Sequence, residues 1–128
     1  MQYAILCYDS EATVGAWSKQ KDEAVMAKHG AACIRLAGVG KMGPVARLMP
    51  TTAAMTLRSG AKPIAPIALD GPFAETKEQF LGFYIVDCKD LDEAIEIAQN
   101  FLHESGALEI RPIQVLWADG RPSVGENK

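Results

Sequence analysis

The chain has 128 residues, of which 48% are hydrophobic and 23% are charged, so it can bury the core of one domain. The net charge is -3, and the 13 basic residues form no block, which argues against direct binding of nucleic acid. No run approaches the roughly 18 apolar residues that predict a membrane span. The N-terminal segment lacks the basic region and the cleavage site of a signal peptide.

The cysteines are three in number, Cys7, Cys33 and Cys88. Their spacing fits no zinc motif, and an odd count does not predict a disulfide framework. Cys7 and Cys88 lie inside apolar runs, and we interpret these two as buried free thiols that pack as small hydrophobes. Free thiols fit a reducing compartment, and we predict a cytoplasmic protein without a bound metal.

The N-terminal half begins with a strand over residues 2–8, and residues 11–17 are compatible with a short helical turn. A helix is predicted over residues 18–37, because Ser18 can cap it and apolar side chains recur at helical spacing. Gly38 can end that helix. The pattern of residues 45–48 is compatible with a short strand.

The region over residues 53–69 predicts two strands that flank a turn at Ser59-Gly60. Pro63 and Pro66 lack the N–H group that a strand ladder needs, so this arm is expected to be irregular or to lie at an edge.

The C-terminal half carries the clearest elements. Residues 80–88 predict a strand and residues 90–102 predict an amphipathic helix, with Asp90 as its cap and Glu93 completing a capping box. Residues 108–117 predict the last strand. The domain is thus expected to cover residues 1–117, and the polar residues 118–128 form a tail that is expected to be mobile.

The predicted order is β-α-β-β-β-β-α-β. Without the central pair of strands it becomes the α+β plan called ferredoxin-like, an antiparallel sheet with two helices on one face. The opposite face of such a sheet needs a cover, and a second copy of the chain is the simplest one because a symmetric dimer buries both faces at once.

Three segments resemble the DGPF branch of the YCII-related proteins: "DGPFAETKEQFLGFYIVD" at residues 70–87, "DLDEAIEIA" at 90–98 and "EIRPI" at 109–113. The resemblance extends over residues 2–117. It implies a ferredoxin-like fold that dimerises into an α/β barrel-like assembly with a pocket near the dimer cleft. It also implies an association of some members with sigma factors. The wider superfamily includes a small-molecule dehydrochlorinase, and some YCII-type members carry a His–Asp pair proposed as catalytic.

The motif begins with Asp70-Gly71-Pro72, a tight turn in which Gly71 can adopt positive φ and Pro72 fixes the next φ. The Asp70 carboxylate can hold backbone N–H groups of this turn, and the same geometry can present it as a base or an orienting group at a cleft. His29, the candidate partner within the resemblance, can carry protons near neutral pH. Its spacing to Gly38 is about half a turn shorter than in YCII-type members.

Four further residues are candidates for substrate binding beside Gly71 and Pro72. Glu75 and Lys77 belong to the motif string, and the alternative for both is solvated charge. Phe73 can contact a ligand or anchor the core or a dimer. Arg58 can clamp a carboxylate or form an ordinary ion pair.

Three functions remain open from the sequence. The first is binding of a small polar or aromatic molecule, with cofactor-free acid–base catalysis by Asp70 and His29 if a reaction occurs. The second is a non-enzymatic sensing or regulatory dimer linked to sigma-factor-associated transcription. The third is a structural dimer in which the motif makes only a turn and an interface. An enzyme is expected to hold Asp70 or His29 at a closed pocket, whereas a sensor is compatible with an open apolar groove.

Overall fold

The computed structural model describes residues 1–60 and 65–122. This part of the chain is mixed α+β, with an antiparallel main sheet, a separate hairpin and three α-helices. The strands are β1 (Gln2–Asp9), β2 (Met42–Arg47), β3 (Met55–Arg58), β4 (Ile67–Asp70), β5 (Gln79–Asp87) and β6 (Ala107–Pro112). The helices are α1 (Glu11–Gly15), α2 (Lys19–Ala37) and α3 (Leu91–Ala98), and 3₁₀ turns cover Thr51–Ala53 and Gln99–Phe101.

The main sheet has four strands in the order β2-β5-β1-β6, and all neighbours are antiparallel. Within the described part of the chain, strands β3 and β4 pair with each other and not with the main sheet. With α1 and this hairpin set aside, the connectivity is β-α-β-β-α-β, as the sequence predicted. The main sheet is open, because β2 and β6 form its two edges.

The core lies between one face of the main sheet and helices α2 and α3. Alternating residues of β1 and β5 point to this face, among them Ile5 and Val86, which are both 0% exposed. The helices and the turn after α3 meet them with small and apolar side chains: Ala32, Leu36, Ala94, Ile97, Ala98 and Phe101. This packing fixes α2 and the end of α3 over the sheet, and it thereby positions the residues described below.

On the opposite face of the main sheet, the part formed by β1 and β5 is mostly apolar but only half-buried, and β6 adds the charged residues Glu109 and Arg111 beside it. Leu6 lies opposite Phe83 in the register of β1 and β5, with Ala4, Tyr8 and Ile85 on the same face. Phe80 is 38% exposed at the edge of this group. We call this group of residues the open face.

The helix ends follow the sequence signals. Ser18 caps α2 by accepting a hydrogen bond from the Lys21 N–H group, and Gly38 follows its last residue. Asp90 caps α3 by accepting from the Glu93 N–H group at 2.9 Å. The capping box differs from expectation, because Glu93 accepts from the Lys89 N–H group at 3.1 Å instead of closing back on Asp90.

One predicted boundary was wrong. The last strand ends at Pro112 and not at residue 117, because Pro112 lies opposite Tyr3, next to the first residue of β1. Ile113 adds one more backbone hydrogen bond, to the Gln2 carbonyl. The strand predicted directly after the turn at Ser59-Gly60 is described only from Ile67, where β4 begins. Pro63 lies outside the described residues, as do positions 123–128 of the predicted tail.

Within residues 1–60 and 65–122, no helix has both the length and the apolar character that crossing a bilayer requires.

Candidate functional site

A cavity of about 100 Å³ lies on the helix-covered side of the main sheet. Its wall is formed by α2, by all four strands of the main sheet and by the connection from α3 to β6. Most of the lining is apolar, but seven of its residues have side chains that can exchange protons or carry charge: Cys7, Tyr8, Asp9, His29, Arg47, Tyr84 and His103. We call it the histidine cavity.

His29 reaches this cavity because it shares the buried face of α2 with Ala32 and Leu36, which lie at helical spacing from it. Tyr84 reaches it because alternate residues of β5 point toward the helices. The two side chains meet with 2.8 Å between the Tyr84 hydroxyl oxygen and Nδ1 of His29. His29 is 8% exposed and Tyr84 is 8% exposed, so this hydrogen bond is sheltered from water.

Aromatic rings enclose the imidazole of His29. The His103 ring stacks on it with centroids 5.0 Å apart, and Phe101 meets it edge-on at 5.4 Å. The pKa of His29 is lowered to about 4, mainly by burial and also by the charges of His103, Lys28 and Arg47. His29 is therefore neutral at pH 7, because its charged form is disfavoured by desolvation and by nearby cations.

Burial also shifts the pKa values of Tyr84, Cys7 and His103 in the lining of the cavity. Burial raises the pKa of Tyr84, so its hydroxyl retains the proton. Burial raises the pKa of the Cys7 thiol to about 11, which makes it a poor nucleophile. The pKa of His103 is lowered by burial, and the Asp9 carboxylate opposes that shift.

Asp9 is the buried anion of the site, with 3% of its surface exposed. Its Oδ1 accepts the Ser10 N–H group at 2.7 Å, and its Oδ2 accepts the Ser105 hydroxyl at 2.9 Å. These bonds hold the carboxylate in a fixed orientation at the end of β1, as a buried charge requires.

Arg47 supplies the cation of the lining from the end of β2. Its two terminal nitrogens contact both carboxylate oxygens of Asp22 on α2, at 2.8 and 3.4 Å. This hydrogen bond holds the pKa of Asp22 below its usual range. The pair therefore ties β2 to α2 beside the cavity while leaving the guanidinium near the two histidines.

A second cleft, of about 360 Å³, lies at the DGPF motif. Gly71, Pro72 and Glu75 line it together with Thr51, Thr52, Ala74, Thr76 and Gln79. Gly71 has φ of +98° as predicted, and its N–H group donates to the Ala54 carbonyl at 2.8 Å. We call this the motif cleft.

The remaining predicted site residues line neither of these two spaces. Asp70 ends β4 opposite Met55, and its carboxylate accepts no hydrogen bond from another described residue. The Arg58 guanidinium lies 5.5 Å from the centre of the Phe73 ring. Lys77 lies on the exposed approach to β5. The structure thus places His29 and the motif residues in different surroundings and does not bring Asp70 into the histidine cavity.

Sequence reasoning missed four residues of the cavity: Asp9, Arg47, Tyr84 and His103. Asp9 had a usable signal, since it continues the alternation of Tyr3 and Ile5 in β1 and so places a carboxylate on the buried face. No local sequence pattern identifies His103 as a cavity residue. It follows the end of α3, and only the tertiary fold places it against His29. Among the described residues, no group of three or more His, Cys, Asp or Glu side chains is arranged to hold a metal ion.

A curated protein and a family model both match nearly the whole chain. An uncharacterized protein of Rhizobium meliloti (strain 1021) is 48% identical over 126 residues, which cover 96% of this chain and all of that protein. The family model described as the YCII-related domain matches residues 1–116. The match includes helix α2 with His29, strand β5 with Tyr84 and the whole main sheet. The chain therefore belongs to the YCII-related family.

Proposed function

We propose that this protein binds a small molecule with an apolar body and a polar end in the histidine cavity. The observation that carries the proposal is the hydrogen bond of 2.8 Å between Tyr84 and His29 at an otherwise mostly apolar wall. Ligand sites in proteins commonly combine such walls with a few fixed polar groups that orient the ligand. The cavity, at about 100 Å³, is smaller than the roughly 150 Å³ of a cavity that binds benzene, so it favours a ligand no larger than one small ring.

Cofactor-free acid–base catalysis on such a molecule is the second candidate. It is favoured by the convergence of His29, His103 and Asp9 on one cavity, with both histidine pKa values lowered by burial. Perturbed titratable groups that meet in one pocket are a common feature of active sites. A purely sensing function predicts an apolar groove without such convergence.

We further propose that the protein belongs to the DGPF branch and forms a homodimer through the open face. Leu6 and Phe83 support the dimer, because an exposed apolar sheet face is typical of an interaction surface. The motif cleft, which Gly71 and Glu75 line, is the alternative to the histidine cavity as the ligand site. Asp70 and Lys77 stay candidates for that cleft only if a ligand or a partner chain reorganises the hairpin.

A thermal-shift screen with small aromatic and alicyclic molecules tests where ligands bind. Val45 faces the cavity on β2, so Val45→Trp should fill the space. Val39 is 65% exposed and does not line the cavity, so Val39→Trp controls for the added ring. A ligand at 100 times its Kd should stabilise the wild type by about 2.7 kcal/mol, which shifts the melting temperature by several degrees.

The expected result is a stabilising ligand whose effect is lost in Val45→Trp and kept in Val39→Trp. Running Glu75→Ala beside them separates the two sites, because Glu75 lines the motif cleft and not the histidine cavity. A ligand that is lost in Glu75→Ala and kept in Val45→Trp would place binding at the motif cleft and refute the proposal for the histidine cavity.

A further inference from the structure

His29 has one nitrogen engaged by the protein and one that the protein leaves available. Nδ1 lies 2.8 Å from the Tyr84 hydroxyl, while Nε2 has no hydrogen-bond partner among the described residues. Among the described residues that are not exposed, every side-chain nitrogen or oxygen without solvent contact has a hydrogen-bond partner. Nε2 therefore reaches accessible space, and His29 contacts such space at the cavity that it lines.

The direction of the bond to Tyr84 decides what Nε2 can do. A neutral imidazole carries its proton on either Nδ1 or Nε2. Nδ1 of His29 is the only acceptor that the described residues place within reach of the Tyr84 hydroxyl. If Nδ1 carried the proton, the buried hydroxyl hydrogen of Tyr84 would have no acceptor in the protein, which would be unfavourable.

We infer that Tyr84 donates to Nδ1 and so fixes His29 as the tautomer that presents an Nε2–H donor to the cavity. This inference rests on the proposed function and specifies its ligand class: apolar molecules that carry a hydrogen-bond acceptor, such as a carbonyl oxygen or a ring nitrogen. His29 then binds or polarises the acceptor. It does not remove a proton from the ligand in this state, because the nitrogen that faces the cavity already carries one. Tyr84 is the positioning residue.

The charges around the imidazole favour its neutral form, which this assignment requires. The Asp9 carboxylate accepts hydrogen bonds from Ser10 and Ser105, and its charge acts on His103. Lys28 and Arg47 add positive charge near the ring. Those cations disfavour a second proton on His29 and leave the neutral donor as the stable form.

The tautomer is measured directly by long-range ¹H–¹⁵N NMR spectra of the full-length protein at pH 7. The expected spectrum shows His29 with the proton on Nε2. Tyr84→Phe should remove the preference and introduce signal from the Nδ1–H form. The control is Tyr3→Phe, which removes the hydroxyl of another buried tyrosine, one that donates to the Met1 sulfur, and it should leave the His29 spectrum unchanged. A wild-type spectrum with the proton on Nδ1, or on both nitrogens, would overturn the inference.

The ligand class is tested with pyridine and benzene, which have nearly the same shape and differ in one acceptor nitrogen. Their affinities are measured by NMR titration in the wild type and in His29→Phe, which keeps a ring but lacks the donor. The affinity for pyridine relative to benzene should fall roughly 2- to 10-fold in the variant, as expected for loss of one hydrogen bond. An unchanged ratio with both probes bound in the cavity defeats the inference alone. Failure of both probes to bind the wild type there defeats the proposed binding function, and the ligand class with it.

Discussion

Gly106 lies directly against Asp9, so closely that a Cβ atom on the glycine would stand 2.9 Å from the carboxyl carbon and 2.4 Å from the Tyr8 carbonyl oxygen. The backbone of Gly106 also has φ of +84°, a conformation that residues with a Cβ rarely adopt. The glycine thus allows the turn after Ser105 to close over the buried carboxylate that lines the cavity.

Gly106→Ala is expected to destabilise the fold because it combines the clash with backbone strain. The strain alone contributes about 1–3 kcal/mol to the loss in free energy of unfolding, and displacement of Asp9 adds to it. Urea unfolding at pH 7 measures the change. The matched control is Gly30→Ala in α2, where a Cβ meets nothing within 4 Å and alanine should stabilise by about 0.5–1 kcal/mol. Equal stability of Gly106→Ala and wild type would contradict this account of the turn.

The low pKa of His29 predicts that acid destabilises the protein. The folded-state pKa of about 4 lies below the unfolded value of 6.5, so the unfolded chain binds the proton more strongly between these values. The free energy of unfolding should therefore be highest above pH 6.5 and fall as the pH drops toward 4. Between pH 8 and pH 5 this group alone accounts for a loss of about 2 kcal/mol.

Urea midpoints measured from pH 8 to pH 4.5 test this in the wild type and in His29→Gln. The variant is expected to be less stable at pH 7 but to lose stability less steeply over the same range. His103 stacks on His29, so protonation of one ring affects protonation of the other. The dependence of stability on pH that remains in His29→Gln therefore includes the protonation of His103. Identical slopes in the two proteins would show that His29 is not the group responsible.

The sequence predicted the order of the elements because each core element carries its own periodic pattern. The alternation in β5 and the apolar stripe of α3 are local features, and so are the caps Ser18 and Asp90. The positive φ of Gly71 was predictable for the same reason. The end of β6 was not, because it depends on where β1 begins.

The histidine cavity was beyond prediction for a related reason. His29 was identified as a candidate, but its partners come from β5 and from the segment after α3, far away in the chain. Tyr84 has the pattern of an ordinary core residue, and nothing in its neighbourhood in the sequence indicates a hydrogen bond to a helix 55 residues earlier. The motif that looks most distinctive in the sequence instead forms a separate cleft, because its glycine and proline specify a turn at the end of the hairpin.

The proposed homodimer predicts that a charge on the open face separates the subunits. Leu6 lies at the centre of that face, opposite Phe83 and Glu109 in the register of its two neighbouring strands. Leu6→Glu should convert a dimer into a monomer in sedimentation or light scattering, since burying an unpaired carboxylate against a second copy is unfavourable. Val39→Glu, at a position 65% exposed outside the open face, should stay dimeric. A wild-type monomer at all accessible concentrations, or a dimeric Leu6→Glu with an unchanged association constant, would refute this interface.

Substitution of Gly71 should destabilise the protein much more than substitution of Asp70. Gly71 holds φ of +98° and donates to Ala54, while Thr56 donates to the Gly71 carbonyl at 2.9 Å. Gly71→Ala should strain this turn by about 1–3 kcal/mol. The Asp70 carboxylate has no comparable contact among the described residues, so Asp70→Ala should change stability by no more than about 0.5 kcal/mol.

Native-state hydrogen exchange separates these two effects, because β3 and β4 can open without unfolding the main sheet. In Gly71→Ala, protection of the amides in the β3–β4 pairing should fall by roughly 5- to 150-fold, the equivalent of about 1–3 kcal/mol, while Ile5 and Val86 in the main sheet keep theirs. Asp70→Ala should leave the protection of both the hairpin amides and the main-sheet amides unchanged. That result would mean that the carboxylate is not needed for folding and is compatible with a role in binding. A loss of hairpin protection in Asp70→Ala as large as in Gly71→Ala would mean instead that the carboxylate supports the turn, which would give it a role in folding and not in ligand binding.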